Sequence, residues 1–201
     1  VIRSLSSLNV PGHQDGSIYT EATISAGAYN TCAILDNSLY TGTASCWGDG
    51  DTNALANGGT TSTSVPTETD DFGLRSPVSI SVGYQHGCAI LDDGSVSCWG
   101  TGNVGQIGNG LGGQGGSNPS LTRLSPEPTS GFGLGRTAVA ISAGSSHTCA
   151  ILNTGEVSCW GYGSEGRLGH GSTSSKNVPT ETVSLSPFKA LAISAGFAHT
   201  C

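Results

Sequence analysis

The chain contains no methionine, only seven lysines and arginines among 201 residues, and no long apolar run. A helix that crosses a bilayer needs about 18 consecutive apolar residues, so no transmembrane helix is encoded. Fourteen acids against seven bases leave a net charge of −7. A surface of that sign repels phosphate backbones, which argues against nucleic acid as a partner. Helical periodicity is missing too, because apolar residues nowhere recur at intervals of three and four. No G-x-S-x-G nucleophile elbow followed by a helix occurs. Serines, histidines and acids are present, but the histidines follow a repeat and do not assemble a nucleophile with a base, so no catalytic residue and no enzyme activity are assigned. N-x-(Ser/Thr) acceptors are absent as well: Asn118 precedes proline, and Asn30-Thr31-Cys32 is the cysteine variant.

What the chain has is repetition. The run CAILDDGSVSCWG from Cys88 to Gly100 returns as CAILNTGEVSCWG from Cys149 to Gly161, and with four extra residues as CAILDNSLYTGTASCWG from Cys32 to Gly48. Counting outward from Asp93 sets Cys88 opposite Cys98 and Ile90 opposite Val96. Gly94 then falls where a three-residue hairpin loop needs a left-handed residue, and Gly155 does the same in the third copy. Directly opposed cysteines lie close enough to bridge, which pairs Cys32 with Cys46, Cys88 with Cys98 and Cys149 with Cys159. Adjacent strand residues face opposite ways, so Trp47, Trp99 and Trp160 cover the side away from the sulfurs. A ribbon apolar on both faces must be shielded by neighbours on both.

The segments starting at Ile24, Ile80, Ile141 and Ile193 (ISAGAYNTC, ISVGYQHGC, ISAGSSHTC, ISAGFAHTC) begin 56, 61 and 52 residues apart. A period above about 40 residues built of short strands points to β-propeller blades. After each tryptophan comes a glycine-rich turn, and then a proline segment, SVPTET at Ser64 and NVPTET at Asn177, that reads as an edge strand. The organisation expected is the tail of a preceding repeat over 1–23, repeats over 24–79, 80–140 and 141–192, and the start of a fourth over 193–201.

The pattern I-S-A-G-x-x-H-T-C-A-I-L-x-x-G-x-V-x-C-W-G, followed by G-x-x-G-x-(L/I)-G-x-G and a proline, resembles the repeat of the RCC1 (regulator of chromosome condensation) superfamily, in its cysteine-containing branch. The resemblance covers essentially the whole chain. It implies an all-β propeller, of which a seven-bladed ring would need roughly 390 residues at this period, so about half a ring is expected here. Val1 is not an initiator methionine, LNVPG at Leu8–Gly12 looks like the close of an earlier repeat, and Cys201 stands where Cys88 and Cys149 stand. The chain therefore reads as part of a longer protein, with a partner for Cys201 outside it. The other reading is a short subunit completed by further copies in a fibre.

Six cysteines in opposed pairs argue for an oxidising compartment, hence an extracellular or cell-surface protein; their spacing of ten or fourteen is wrong for close-set zinc ligands. Several motifs carry two readings. GxGxxG at Gly100 and again at Gly161 is a dinucleotide fingerprint only where a helix follows, and is read as a blade turn with no cofactor. Asp49, Asp51 and Asn53 open like a calcium loop, yet Ala54 and Thr60 stand where that loop needs glycine and glutamate, which favours a solvated turn over a metal site. His86, His147 and His199, with Asn30 in the first copy, read either as a ring of imidazoles facing a channel and able to bind metal or as side chains that hydrogen-bond neighbouring backbone; the structural role is favoured. The runs Thr60, Thr61, Ser62, Thr63, Ser64 and Ser172, Thr173, Ser174, Ser175 are candidate O-glycan acceptors or plain soluble loops.

Specificity belongs in what departs from the repeat: Asn37–Thr43 with Tyr40, Thr60–Ser64, and Leu111–Ser130, which reads as a long irregular loop. The function expected is a non-enzymatic secreted or cell-surface scaffold with protein or glycan partners, possible copies of itself included. The alternative is a soluble propeller regulator, either an extracellular inhibitor or an exchange factor for a small GTPase.

Overall fold

A ribbon apolar on both faces needs cover on both, and the computed structural model, which describes residues 24–37, 40–51, 54–113 and 121–201, supplies it by stacking three blades. Blade 1 holds β1 (Ile24–Ala26), β2 (Asn30–Asn37), β3 (Tyr40–Gly48) and β4 (Thr63–Glu68). Blade 2 holds β5 (Pro77–Val82), β6 (His86–Leu91), β7 (Val96–Gly100) and β8 (Arg123–Pro128); blade 3 holds β9 (Ala138–Ala143), β10 (His147–Leu152), β11 (Val157–Gly161) and β12 (Lys176–Glu181). In each, four antiparallel strands lie in chain order. β5 and β9 begin three residues ahead of Ile80 and Ile141, the residues that open repeats 2 and 3.

The central hairpins keep the register that the opposed cysteines require: Cys88 faces Cys98, Ile90 faces Val96, and Cys149 faces Cys159. Gly94, at φ +77°, lets its N–H return to Leu91 O at 2.8 Å and close the loop. Disulfides join Cys32 to Cys46, Cys88 to Cys98 and Cys149 to Cys159, with Cα atoms 4.1, 4.0 and 4.1 Å apart. Such closeness belongs to a directly opposed pair that exchanges no backbone hydrogen bonds.

The outer strands carry Pro66, Pro126 and Pro179, each beside a register shift between the cysteine and the glycine of the neighbouring strand. Proline fits there because an edge strand at a bulge has no ladder partner for the missing N–H. The irregular loop expected over Leu111–Ser130 is corrected on this point: Arg123–Pro128 is β8, the outer strand of blade 2. Its two prolines exclude a central strand and leave an edge strand open. Residues 114–120 of that stretch lie outside the described residues.

Each face of a blade has its own partner. The disulfide faces the following blade and the tryptophan faces the preceding one. Between blades 1 and 2, Cys32, Cys46 and Leu55 pack with Trp99, Ala89 and Leu91. Cys88, Cys98 and Ile107 pack with Trp160 and Ala150 between blades 2 and 3. Beyond blade 3, Cys149, Cys159 and Leu168 meet Ala190 and Ile193 from the last segment of the chain, and Thr200 Oγ1 lies 3.6 Å from Cys149 Sγ.

The Ile-Ser-Ala-Gly segments form the innermost strands, and their serines fasten one blade to the next. Ser25 Oγ accepts from Val82 N–H, Ser81 Oγ from Ala143 N–H and Ser142 Oγ from Ala195 N–H, each at 2.9 Å. The glycine is needed for contact: a Cβ on Gly83 would stand 2.2 Å from Gly144 O.

Candidate interaction surfaces

Most residues with chemistry to offer are used up in holding blades together. His86 and His147 are buried without solvent exposure. His86 Nε2 lies 2.9 Å from Thr148 Oγ1, and that hydroxyl donates to Gln106 O at 3.3 Å. A threonine hydroxyl has one proton, so His86 must donate from Nε2, which fixes its tautomer. Trp160 Nε1 donates to the same Gln106 O at 2.9 Å. Around blade 3 the arrangement repeats: His147 Nε2 lies 3.0 Å from Thr200 Oγ1, which donates to Arg167 O at 2.9 Å. In blade 1, Asn30 Nδ2 reaches Ala54 O directly at 2.8 Å, beside Trp99 Nε1 at 3.0 Å. Burial pushes the His86 pKa down to about 3, helped by His147, and pushes that of His147 down to about 4, helped by the Arg167 guanidinium.

The GxGxxG segments are turns. Gly100 and Gly161 have φ of +93° and +104°. A Cβ on Gly102 or Gly163 would lie 2.2 or 2.1 Å from Leu121 O or Ser174 O. Only a short 3-10 turn, Ser164–Gly166, follows in the third copy. Asp49 Oδ1 accepts Asp51 N–H at 2.8 Å, closing a local turn, and Asn53 lies outside the described residues. Among the described residues no group of three or more His, Cys, Asp or Glu is placed to hold a metal ion.

Within the serine and threonine runs, Thr60, Thr61, Ser62, Ser64, Ser172, Thr173 and Ser174 are exposed, while Thr63 and Ser175 are half-buried. Ser62 and Ser175 take equivalent roles, their hydroxyls accepting Gly50 N–H and Gly163 N–H at 3.1 and 3.2 Å.

Exposed aromatic and apolar side chains gather at the two loop ends of the blades. One end carries the tips between each innermost strand and the next. There Tyr29 and Tyr84 meet edge to face at 5.3 Å with hydroxyls 3.0 Å apart, and the Arg167 guanidinium lies 4.9 Å from the Tyr162 ring centre. Phe197 is exposed at the equivalent tip beyond blade 3.

The other end carries the hairpin loops and the blade-to-blade connections, and it holds a repeated device that the sequence analysis did not single out. Phe72 and Phe132 lean on Trp99 and Trp160 at 6.0 and 6.1 Å. Gly73 and Gly133, at φ +80° and +100°, then turn the chain outward. Leu74 and Leu134 follow, fully exposed. The neighbouring cations are paired locally: Arg75 with Asp92 at 3.6 Å and Asp93 at 3.1 Å, Arg136 with Glu156 and Glu181. The tips thus present apolar side chains on a rim of compensated charge. The Phe-Gly-Leu sequence eight and nine residues ahead of Ile80 and Ile141 was the available signal.

Comparison with known proteins agrees with this architecture. The model of the regulator of chromosome condensation (RCC1) repeat matches residues 42–90, 93–151 and 154–201, and a second model of that description matches 78–106 and 138–167. The human E3 ubiquitin-protein ligase HERC2 is 31% identical over 176 residues, 88% of this chain and 3% of that protein. The ultraviolet-B receptor UVR8 of Arabidopsis thaliana is 29% identical over 178 residues, 88% of this chain and 38% of the receptor. The chain therefore spans well under half the length of these relatives. Among solved structures, Prp20p from Saccharomyces cerevisiae superposes with a TM-score of 0.73 at 16% identity, covering 89% of this chain and 42% of that one. Yeast RCC1 (Prp20) bound by Kap60 gives 0.70 at 20% identity, covering 92% and 42%. At such identities the likeness is one of fold.

Proposed function

The chain belongs to the RCC1 repeat family, and from that premise we propose that it is a non-enzymatic interaction scaffold of a secreted or cell-surface protein. The observation that carries the reading is the pair of tryptophan-anchored turns that hold Leu74 and Leu134 in solvent at the same end of adjacent blades. Large apolar side chains kept fully exposed on rigid supports mark surfaces that meet other molecules. Three bridged cysteine pairs support an oxidising setting. Protein partners fit these apolar tips, and the exposed hydroxyls Thr60, Thr61 and Ser172–Ser174 suit O-glycans.

Two measurements on native material test this. Non-reducing peptide mapping is expected to link Cys32 to Cys46, Cys88 to Cys98 and Cys149 to Cys159; free thiols at these positions would remove the extracellular assignment. Size-exclusion chromatography with electron microscopy is expected to show assemblies that persist in native salt. A discrete monomer that takes up a single partner would favour the soluble regulator instead.

A further inference from the structure

The tips of blades 1 and 2 carry a pair of side chains that the repeat does not. Two residues follow the glycine of each innermost-strand segment: Ala28-Tyr29, Tyr84-Gln85, Ser145-Ser146 and Phe197-Ala198. Where the second tip residue of one blade stands beside the first of the next, Tyr29 meets Tyr84, whereas the corresponding places between blades 2 and 3 hold Gln85 and Ser145. The two rings stand edge to face with centres 5.3 Å apart and hydroxyl oxygens 3.0 Å apart. Backbone bonds hold both tips in place. Ala28 N–H donates to Gly83 O at 3.4 Å, Tyr84 N–H to Gly144 O at 3.3 Å and Asp49 N–H to Tyr29 O at 3.0 Å. Tyr29 is half exposed and Tyr84 is partly buried, and their joined hydroxyls lie at the surface within reach of an oxidant.

We propose that Tyr29 and Tyr84 form a site of oxidative coupling, at which a haem peroxidase with hydrogen peroxide joins the two phenols into a dityrosine that clamps blade 1 to blade 2. Each O–H bond breaks and gives up one electron and one proton, and the two phenoxyl radicals form a carbon–carbon bond between their ortho (Cε) positions. The hydrogens on those carbons pass to the oxygens, so both hydroxyls are restored. Peroxide takes up the two electrons and two protons and leaves as two waters. Proximity selects the pair, because radicals formed on groups already in contact combine before either meets another chain. Tyr162 is engaged elsewhere, with the Arg167 guanidinium 4.9 Å from its ring centre. The new bond joins residues 55 apart in sequence, and closing a loop of that length restricts the unfolded chain as a disulfide does. The site lies at the opposite loop end from Leu74 and Leu134 and is independent of the role proposed for those side chains.

The test treats the full chain, in dilute solution, with a haem peroxidase and limiting hydrogen peroxide, and maps the peptides of the product. A monomer is expected in which the Tyr29 peptide is joined to the Tyr84 peptide, lighter than their sum by two hydrogen atoms. Tyr84→Phe, which keeps the ring and removes the phenol, is expected to abolish that product, while Tyr162→Phe is expected to leave its yield unchanged. In concentrated urea the yield is expected to fall about tenfold or more, as the held proximity is lost. The purified coupled chain is expected to unfold at a higher urea midpoint than the uncoupled one. The proposal is overturned by products that join separate chains instead, by linkage through Tyr19, Tyr40 or Tyr162 in comparable yield, by equal yield in urea, or by an unchanged urea midpoint of the coupled chain.

Discussion

At the scale of single residues, the buried imidazoles matter most, because they are held neutral at the pH where most proteins work. His86 and His147 have folded pKa values near 3 and 4, while an unfolded histidine titrates near 6.5. Between those values the unfolded chain binds more protons, so stability falls as pH falls. The contribution is complete above about pH 6.5 and shrinks steadily below it, at up to about 1.4 kcal/mol per pH unit for each histidine. Glu156 and Asp93, held below the usual carboxylate range by Thr154 and Arg136 and by Ser95, also lose stability in acid. Their losses begin only where an unfolded carboxylate takes up protons, near pH 4. The window from about 6.5 to 4.5 therefore belongs to the histidines. Urea midpoints measured across it are expected to fall steadily, and in the variant His86→Asn the slope is expected to drop by about half. A flat profile in the unsubstituted chain would refute the buried neutral pair.

At the scale of elements, much of the blade was legible because its signals are local. The Cys-to-Cys count fixes hairpin register, Gly94 fixes the loop, and the prolines mark the outer strand. Within the Leu111–Ser130 stretch the same proline signal was present at Pro126, and the glycines before it hid the outer strand. The links between blades were less legible, since they join residues about a repeat apart. Even so, one correlation stood in the chain. His86 reaches its carbonyl through Thr148 of the next blade, whereas Asn30 faces a next blade with Gly87 at the threonine place, which has no hydroxyl. Asparagine makes the bond itself. The exposed Leu74 and Leu134 escaped notice because an apolar residue in a turn looks like core until the direction of the chain after Gly73 and Gly133 is known. The hairpins also set a measurable cost. Closing ten residues by Cys88–Cys98 restricts the unfolded chain by about 3 kcal/mol on the loop-entropy model. The double variant Cys88→Ser with Cys98→Ser is expected to lower the urea unfolding free energy by roughly that amount. Loss of under about 0.5 kcal/mol would show that the neighbouring blades already hold the register without sulfur.

At the scale of the whole molecule, stability is a sum over neighbouring blades, and among the described residues only blade 2 has a complete neighbour on each flank. Its tryptophan face meets the disulfide, Leu55 and Ala44 of blade 1, and its disulfide face meets Trp160 and Ala150 of blade 3. Blade 3 has a full interface on its tryptophan side and a shallower cover of Ala190 and Ile193 on the other. Trp47 in blade 1 is only partly buried where Trp99 and Trp160 have no exposure. A fully buried tryptophan removes about 200 Å² from water, roughly 5 kcal/mol of favourable transfer, so losing one such contact leaves a large difference in local opening energy. Amide hydrogen exchange reads that difference directly. The amides of β6 and β7 are expected to exchange slowest, those of β10 and β11 faster, and those of β2 and β3 faster again, although all three hairpins carry the same disulfide. Sulfur constrains each ribbon alike, so a gradient across blades isolates the packing contribution. Equal protection in the three hairpins would assign the rigidity of the molecule to its disulfides; slower exchange at β10 than at β6 would contradict a nearest-neighbour origin for its stability.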